Sequence, residues 1–180
     1  MMNHKIICAG FGGQGVLSIG TMLAYSAMTE GKEVSWLPSY GPEMRGGTAN
    51  CSVNISDEPI ASPIVTRPDV LIAMNTPSLT KFEDAVVPGG VIIVNSSLID
   101  KKVTRTDVKT YYVPANEKAQ ELGTARAANI YILGVVNKVC GLLKHESVKE
   151  GIAYNFKNKP KLVPLNEKIY EAAYESVGKE

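Results

Sequence analysis

The 180 residues are 44% hydrophobic and 21% charged, the make-up of one soluble domain large enough to bury a core, with no room for two independently folding units. Nineteen Lys and Arg oppose eighteen Asp and Glu, so the net charge of +1 supplies no field that recruits nucleic acid or an anionic membrane. Cys8, Cys51 and Cys140 lie far apart and none belongs to a Cys-x-x-Cys pair, which argues against an iron–sulfur cluster or zinc site held by this chain alone.

In chain order, the apolar run Ile6, Ile7, Cys8 and Ala9 ends at Gly10, and from residue 16 to 28 apolar residues recur at helical spacing until Gly31. That pattern predicts a strand, a glycine turn and a helix. Residues 33–37 read as a second strand, 38–49 as a loop dense in Pro, Gly, Ser and Thr, and 51–55 as a third strand. Residues 69–74 and 90–94 are nearly continuous apolar runs, expected of strands covered on both faces, with a helix at 78–87 between them. A strand at 110–113 leads to Pro114 at a helix entrance, and helices are predicted at 115–122, at 126–140 closed by Gly141, at 146–154, and after Pro164 with a stripe at Leu165, Ile169, Ala173 and Val177. The stretch 127–143 is interrupted by Asn129, Gly134, Asn137 and Lys138 and reads as a buried helix, not a membrane span. The fold expected over 1–180 is a single three-layer, Rossmann-like α/β domain with a mostly parallel sheet and a C-terminal helical stretch. An odd cysteine count and no leader pattern at 1–5 point to the reducing cytoplasm.

Gly10-Phe11-Gly12-Gly13-Gln14-Gly15 fits G-x-G-x-x-G between a strand and a helix, a context in which backbone N–H groups and a helix N-terminus hold a phosphate. The alternative is that these glycines only permit close helix–strand packing. A dinucleotide fold would carry an acid at the end of the second strand, where Ser35, Trp36 and Leu37 stand, and Glu33 comes too early. Gln14 either bonds a ligand at the helix mouth or makes an N-terminal capping contact. The second motif, Pro38-Ser39-Tyr40-Gly41-Pro42-Glu43-Met44-Arg45-Gly46-Gly47-Thr48-Ala49-Asn50-Cys51, should emerge at the same carboxyl edge as the glycine turn. Arg45 offers a planar fork for phosphate or carboxylate, and Ser39 and Thr48 offer hydroxyls. Tyr, Met and Arg are equally at home in a subunit interface. Blander roles are expected elsewhere: Asn75 and Asn95 as turn formers, Asn129 bonded to a neighbouring loop's backbone, His145 solvated, and Cys51 a small buried strand residue. No Ser–His–Asp or Cys–His set assembles.

The two motifs in this order, with Pro114-Ala115-Asn116-Glu117, Arg126-Ala127-Ala128-Asn129 and Lys161-Leu162-Val163-Pro164-Leu165-Asn166 following, resemble the gamma subunit of 2-oxoacid:ferredoxin oxidoreductases across essentially the whole chain. The wording of the second motif is most similar to the 2-oxoglutarate members, then the branched-chain ones. The resemblance implies an enzyme subunit, inactive alone, of a complex that converts a 2-oxoacid and coenzyme A to acyl-CoA and CO2 while reducing ferredoxin. It implies alpha, beta and ferredoxin-like delta partners, with thiamine diphosphate, its Mg and the iron–sulfur clusters in those partners, no cofactor held by this chain alone, and self-association of the isolated chain as an option. On that basis Gly12, Gly13, Gln14 and Gly15 are expected to hold a phosphate portion of coenzyme A, oriented by Ser39, Arg45 and Thr48, with no catalytic or metal residue on this chain. A docking subunit of this or an indolepyruvate-type complex, and a nucleotide-binding oxidoreductase, remain alternatives.

Overall fold

A computed structural model describes residues 1–40 and 48–179, the side chain of Tyr40 excepted. Six strands make one sheet in the order β2-β3-β1-β4-β5-β6. They are β1 (Asn3–Phe11), β2 (Glu33–Tyr40), β3 (Thr48–Ser56), β4 (Val70–Ala73), β5 (Val91–Asn95) and β6 (Lys109–Val113). β1, β4, β5 and β6 run parallel, while β3 is antiparallel to both β1 and β2. Alternation sorts the core onto two faces. Ile6 and Cys8 of β1, Val70 and Ile72 of β4 and Ile93 of β5 point to one apolar cluster, whereas Ile7, Ala9, Leu71, Ala73, Ile92 and Val94 point to the other.

The first face is roofed by α1 (Val16–Thr29), α3 (Ala115–Glu121), α4 (Ala128–Cys140), α5 (His145–Asn155) and α6 (Val163–Ser176), all contributing to the larger cluster. The second carries α2 (Thr76–Phe82) and a 3-10 turn at Glu83–Ala85, packed through Leu79 and Val86 with Val65 and Ile99. This is the expected three-layer, mostly parallel domain with its C-terminal helical stretch. Helix ends follow local chemistry. Asn75 caps α2 by accepting from Ser78 N at 2.9 Å with a proline in the first turn, and Gly141 ends α4 in the left-handed region at φ 58. Among the described residues no helix is long and apolar enough to cross a membrane.

One expectation is corrected. The predicted loop at 38–49 is strand at both of its ends: β2 continues to Tyr40 and β3 begins at Thr48, and the two pair from Glu33↔Ser56 to Tyr40↔Ala49 as the arms of a hairpin, with residues 41–47 outside the described ones. Pro38 suggested an early end, but β2 is the edge of the sheet, where a missing N–H is tolerated. The hairpin folds back so that β3, not β2, lies against β1.

Candidate functional site

β1 has β3 on one side and β4 on the other, and the chain departs from it in both directions, first through α1 to β2 and later to β4. The crevice beyond the carboxyl ends of β1 and β4 is therefore the topological switch point, where open α/β sheets collect ligands. The glycine turn occupies it. Its glycines divide into two kinds. A Cβ on Gly10 would lie 2.5 Å from Gln14 Oε1 and 2.9 Å from Met74 Cβ, and one on Gly15 would lie 2.4 Å from Asn129 Nδ2. Packing alone demands glycine at both positions. Gly13 has φ +91 and nothing within 4 Å of where a Cβ would be, and both Gly12 and Gly13 are exposed, so that part of the turn faces open space.

The helix behind the turn begins bare. Gly15 at the N-cap of α1 has φ 76, no side chain caps the helix, and its first turn holds no acidic residue. The N–H groups of the first turn have no intrahelical acceptor. Among the described residues, those of Gly12, Gly13 and Gly15 also lack a partner. The result is a patch of backbone donors at the positive end of a fourteen-residue helix, suited to an anion.

Gln14 shapes this patch rather than projecting from it. Its Oε1 accepts from Phe11 N at 2.6 Å and its Nε2 donates to Met74 O at 3.0 Å, which ties the turn to the end of β4. Asn129 Nδ2 donates to Gly15 O at 3.4 Å, the loop-backbone contact expected of it. Thr48 sits directly across from Phe11, and Ser39 lies one strand further out opposite Asn50, itself the partner of Ala9. The structure thus brings Thr48 to the turn and leaves Ser39 two strand spacings from β1, about 9.5 Å. Both are exposed on the α2 side of the sheet. Arg45, the remaining expected contact, lies outside the described residues.

Asn75 does more than cap. It is 3% exposed at the end of β4, and its Nδ2 is a buried donor without an acceptor among the described residues. The sequence around it, an apolar run followed by Asn, Thr, Pro and Ser, announces the cap but not the spare amide. Asn95 is structural, donating to Asn116 Oδ1 at 2.9 Å and accepting from Ser97 N and Ala115 N at 3.3 Å each. His145 departs from the expectation of a solvated side chain. It packs between Tyr170 and Tyr174 at centroid distances of 5.0 and 4.8 Å, because α6 crosses the start of α5 there. The dinucleotide alternative meets a physical obstacle, since the antiparallel β3 stands where such folds place their second strand and carries the end of β2 away from the turn.

A family model described as pyruvate ferredoxin/flavodoxin oxidoreductase matches residues 5–176, and the chain belongs to that family. It is 47% identical over 173 residues to the ketoisovalerate oxidoreductase subunit VorA of Methanothermobacter thermautotrophicus, a match covering 95% of this chain and 36% of that protein. The chain therefore spans about a third of the length of this relative. It is 36% identical over 154 residues to the 2-oxoglutarate synthase subunit KorC of Methanocaldococcus jannaschii, covering 84% of this chain and 82% of that one. Among solved structures, the gamma subunit of a keto/oxoacid ferredoxin oxidoreductase from Geobacter sulfurreducens superposes with a TM-score of 0.86 at 28% identity, covering 97% of this chain and 96% of that chain.

Proposed function

We propose that this chain is the gamma-type part of a 2-oxoacid:ferredoxin oxidoreductase and that its share of the reaction is to hold coenzyme A. The complex would take a 2-oxoacid and coenzyme A to acyl-CoA and CO2 and pass the electrons to ferredoxin. The observation that carries the assignment is the uncapped, acid-free N-terminus of α1 opening through Gly12 and Gly13 at the switch point. A phosphate there gains several aligned N–H donors at once, while Gln14 and Asn129 keep the turn rigid. Thr48, across from Phe11 at the end of β1, would contact the same anion, with Ser39 and Arg45 orienting the rest of the molecule. Held by its phosphates, the carrier can swing its thiol end toward a neighbouring subunit.

Among the described residues nothing fits thiamine diphosphate or a cluster. The sulfurs of Cys8 and Cys51 are buried in the core beneath α1, Cys140 lies at the far end of α4, and no Gly-Asp-Gly segment is present. Those groups are assigned to alpha, beta and delta partners, and no step here runs through them. The higher identity to the ketoisovalerate subunit, 47% against 36%, favours a branched-chain 2-oxoacid over 2-oxoglutarate.

The test is a pair of variants in the assembled complex. Gly13→Asp puts a carboxylate where the phosphate would sit and is expected to raise the KM for coenzyme A roughly tenfold or more, as loss of one charge-assisted contact would. Arg45→Ala is expected to act in the same direction. Unchanged KM and turnover in both would leave the chain a docking subunit. Assay against a panel of 2-oxoacids with a low-potential dye decides the substrate.

A further inference from the structure

Cys8 and Cys51 are direct partners in the antiparallel pairing of β1 with β3. Both are 0% exposed, and both point to the α1 face of the sheet. Asp57 N donates to Met2 O, and stepping from that hydrogen-bonded pair along the register in twos places Cys8 and Cys51 in the same class. Such pairs have Cα atoms about 5.5 Å apart, inside the range of about 4.4–6.8 Å that a disulfide spans.

The surroundings favour sulfur chemistry at Cys51. Its Sγ donates to Val16 O at 3.6 Å. A Cβ on Gly20 would stand 2.5 Å from Cys51 Sγ and 2.8 Å from Trp36 Nε1, so the sulfur and the indole N–H share one small space. Trp36 Nε1 is buried with no acceptor among the described residues, an N–H left for a sulfur anion to satisfy. The Cys8 thiol, and then the Trp36 N–H, lower the pKa of Cys51 against the opposing effect of burial, while the same contact and burial raise Cys8.

We propose that Cys8 and Cys51 form a dithiol redox site that a low-molecular-weight disulfide closes into a cross-strand disulfide, with Cys51 attacking and Cys8 resolving. The Cys51 thiolate attacks one sulfur of the small disulfide, forming a mixed disulfide and expelling one thiolate. Cys8, after losing its proton, attacks the Cys51 sulfur and expels the second. Two cysteine thiols lose two electrons and two protons, and the small disulfide becomes two thiols. The order follows the sheet: Cys51 lies on the outer hairpin, which can open locally, whereas Cys8 lies on the central strand. Closure withdraws the S–H from Val16, the first residue of α1, so the site adjoins the glycine turn without depending on what that turn binds.

The full chain in its complex is incubated across a series of oxidised-to-reduced glutathione ratios, quenched in acid, alkylated and mapped without reduction. The expected result is a Cys8–Cys51 peptide lighter by two hydrogen masses, reversed by dithiothreitol, with Cys140 alkylated as a free thiol. Cys8→Ala should stop at a glutathione adduct on Cys51, and Trp36→Phe, which keeps the ring and removes the N–H, should slow closure severalfold. Recovery of both Cys8 and Cys51 as free thiols at the most oxidising ratio, or adducts confined to Cys140, overturns the proposal. The wild-type map decides the matter even if either variant fails to fold.

Discussion

Gly13 and Gly15 both have positive φ, yet they answer to different demands, and the difference is measurable. At Gly15 a methyl group would strike Asn129 and break the bond that holds the start of α1, so Gly15→Ala adds a clash to the left-handed backbone cost. It is expected to lose about 2–4 kcal/mol in urea denaturation. Gly13→Ala meets no atom and is expected to lose only about 1–2 kcal/mol. A similar cost for both would mean that Gly13 is also packed. Tyr170 offers a second residue-scale test. Its hydroxyl accepts from Asn137 Nδ2 at 3.0 Å, and burial pushes its pKa up to about 12. A phenol with a raised folded-state pKa stabilises the fold below its ordinary value of 10.0 and loses that contribution as pH climbs toward 12. Alkaline unfolding should therefore begin within that window. Ultraviolet titration should show one tyrosine ionising only as the fold is lost, and Tyr170→Phe should remove that component.

Among the elements, α4 and α6 pack tightly at Gly134, where a Cβ would come within 2.6 Å of Tyr170 O and 2.7 Å of Ala173 Cβ. Gly134→Val must push the two helices apart and is expected to destabilise by about 1–3 kcal/mol or more, read from the denaturation midpoint. At the opposite rim, Asp57 joins three elements: it accepts from Met2 N at 2.6 Å and pairs with Lys32, which precedes β2. The Lys32 ammonium holds the Asp57 carboxyl below its ordinary pKa, so this clasp is complete above about pH 4 and is lost as pH falls through the folded value. Asp57→Asn should flatten that part of the acid unfolding curve.

Elements of this size were legible because the apolar periods are clean. The strand–turn–helix around Gly10 to Gly15, the strands β4 and β5 and the helix closed by Gly141 all sit within a residue or a few of where their patterns place them. The hairpin was not legible, because Pro38 interrupts the second strand and because pairing of β3 with β1 joins Cys8 to Cys51, residues whose meeting no local pattern announces. The glycine turn was recognisable as the bend between a strand and a helix. The fate of the Gln14 amide was not, since it depends on a carbonyl sixty positions away at Met74.

At the scale of the whole molecule, the sheet separates two rims. The carboxyl rim carries the bare helix start, Thr48 and the spare amide of Asn75, whereas the amino rim carries the clasps of Asp57 and of Asp69, which accepts from Lys5 N at 2.6 Å and lies 2.7 Å from His4 Nδ1. With a net charge of +1 there is no long-range field to draw in an anionic carrier. Attraction must come from the local dipole and nearby donors, which act over a turn of helix. On the proposed assignment, the affinity for coenzyme A should therefore decline only gently between low and physiological salt, by less than about tenfold, when followed by titration calorimetry of the complex. A steep decline would place several exposed cations around the ligand instead.

The placement of β1 also bears on how the chain is made. This strand is synthesised before both of its neighbours in the sheet, residues 48–56 on one side and 70–73 on the other. Until β4 has emerged, the centre of the future sheet must wait with an edge open, and a nascent chain arrested between β3 and β4 would present that edge at Ile6 and Ile7 to whatever chaperone stands at the tunnel exit.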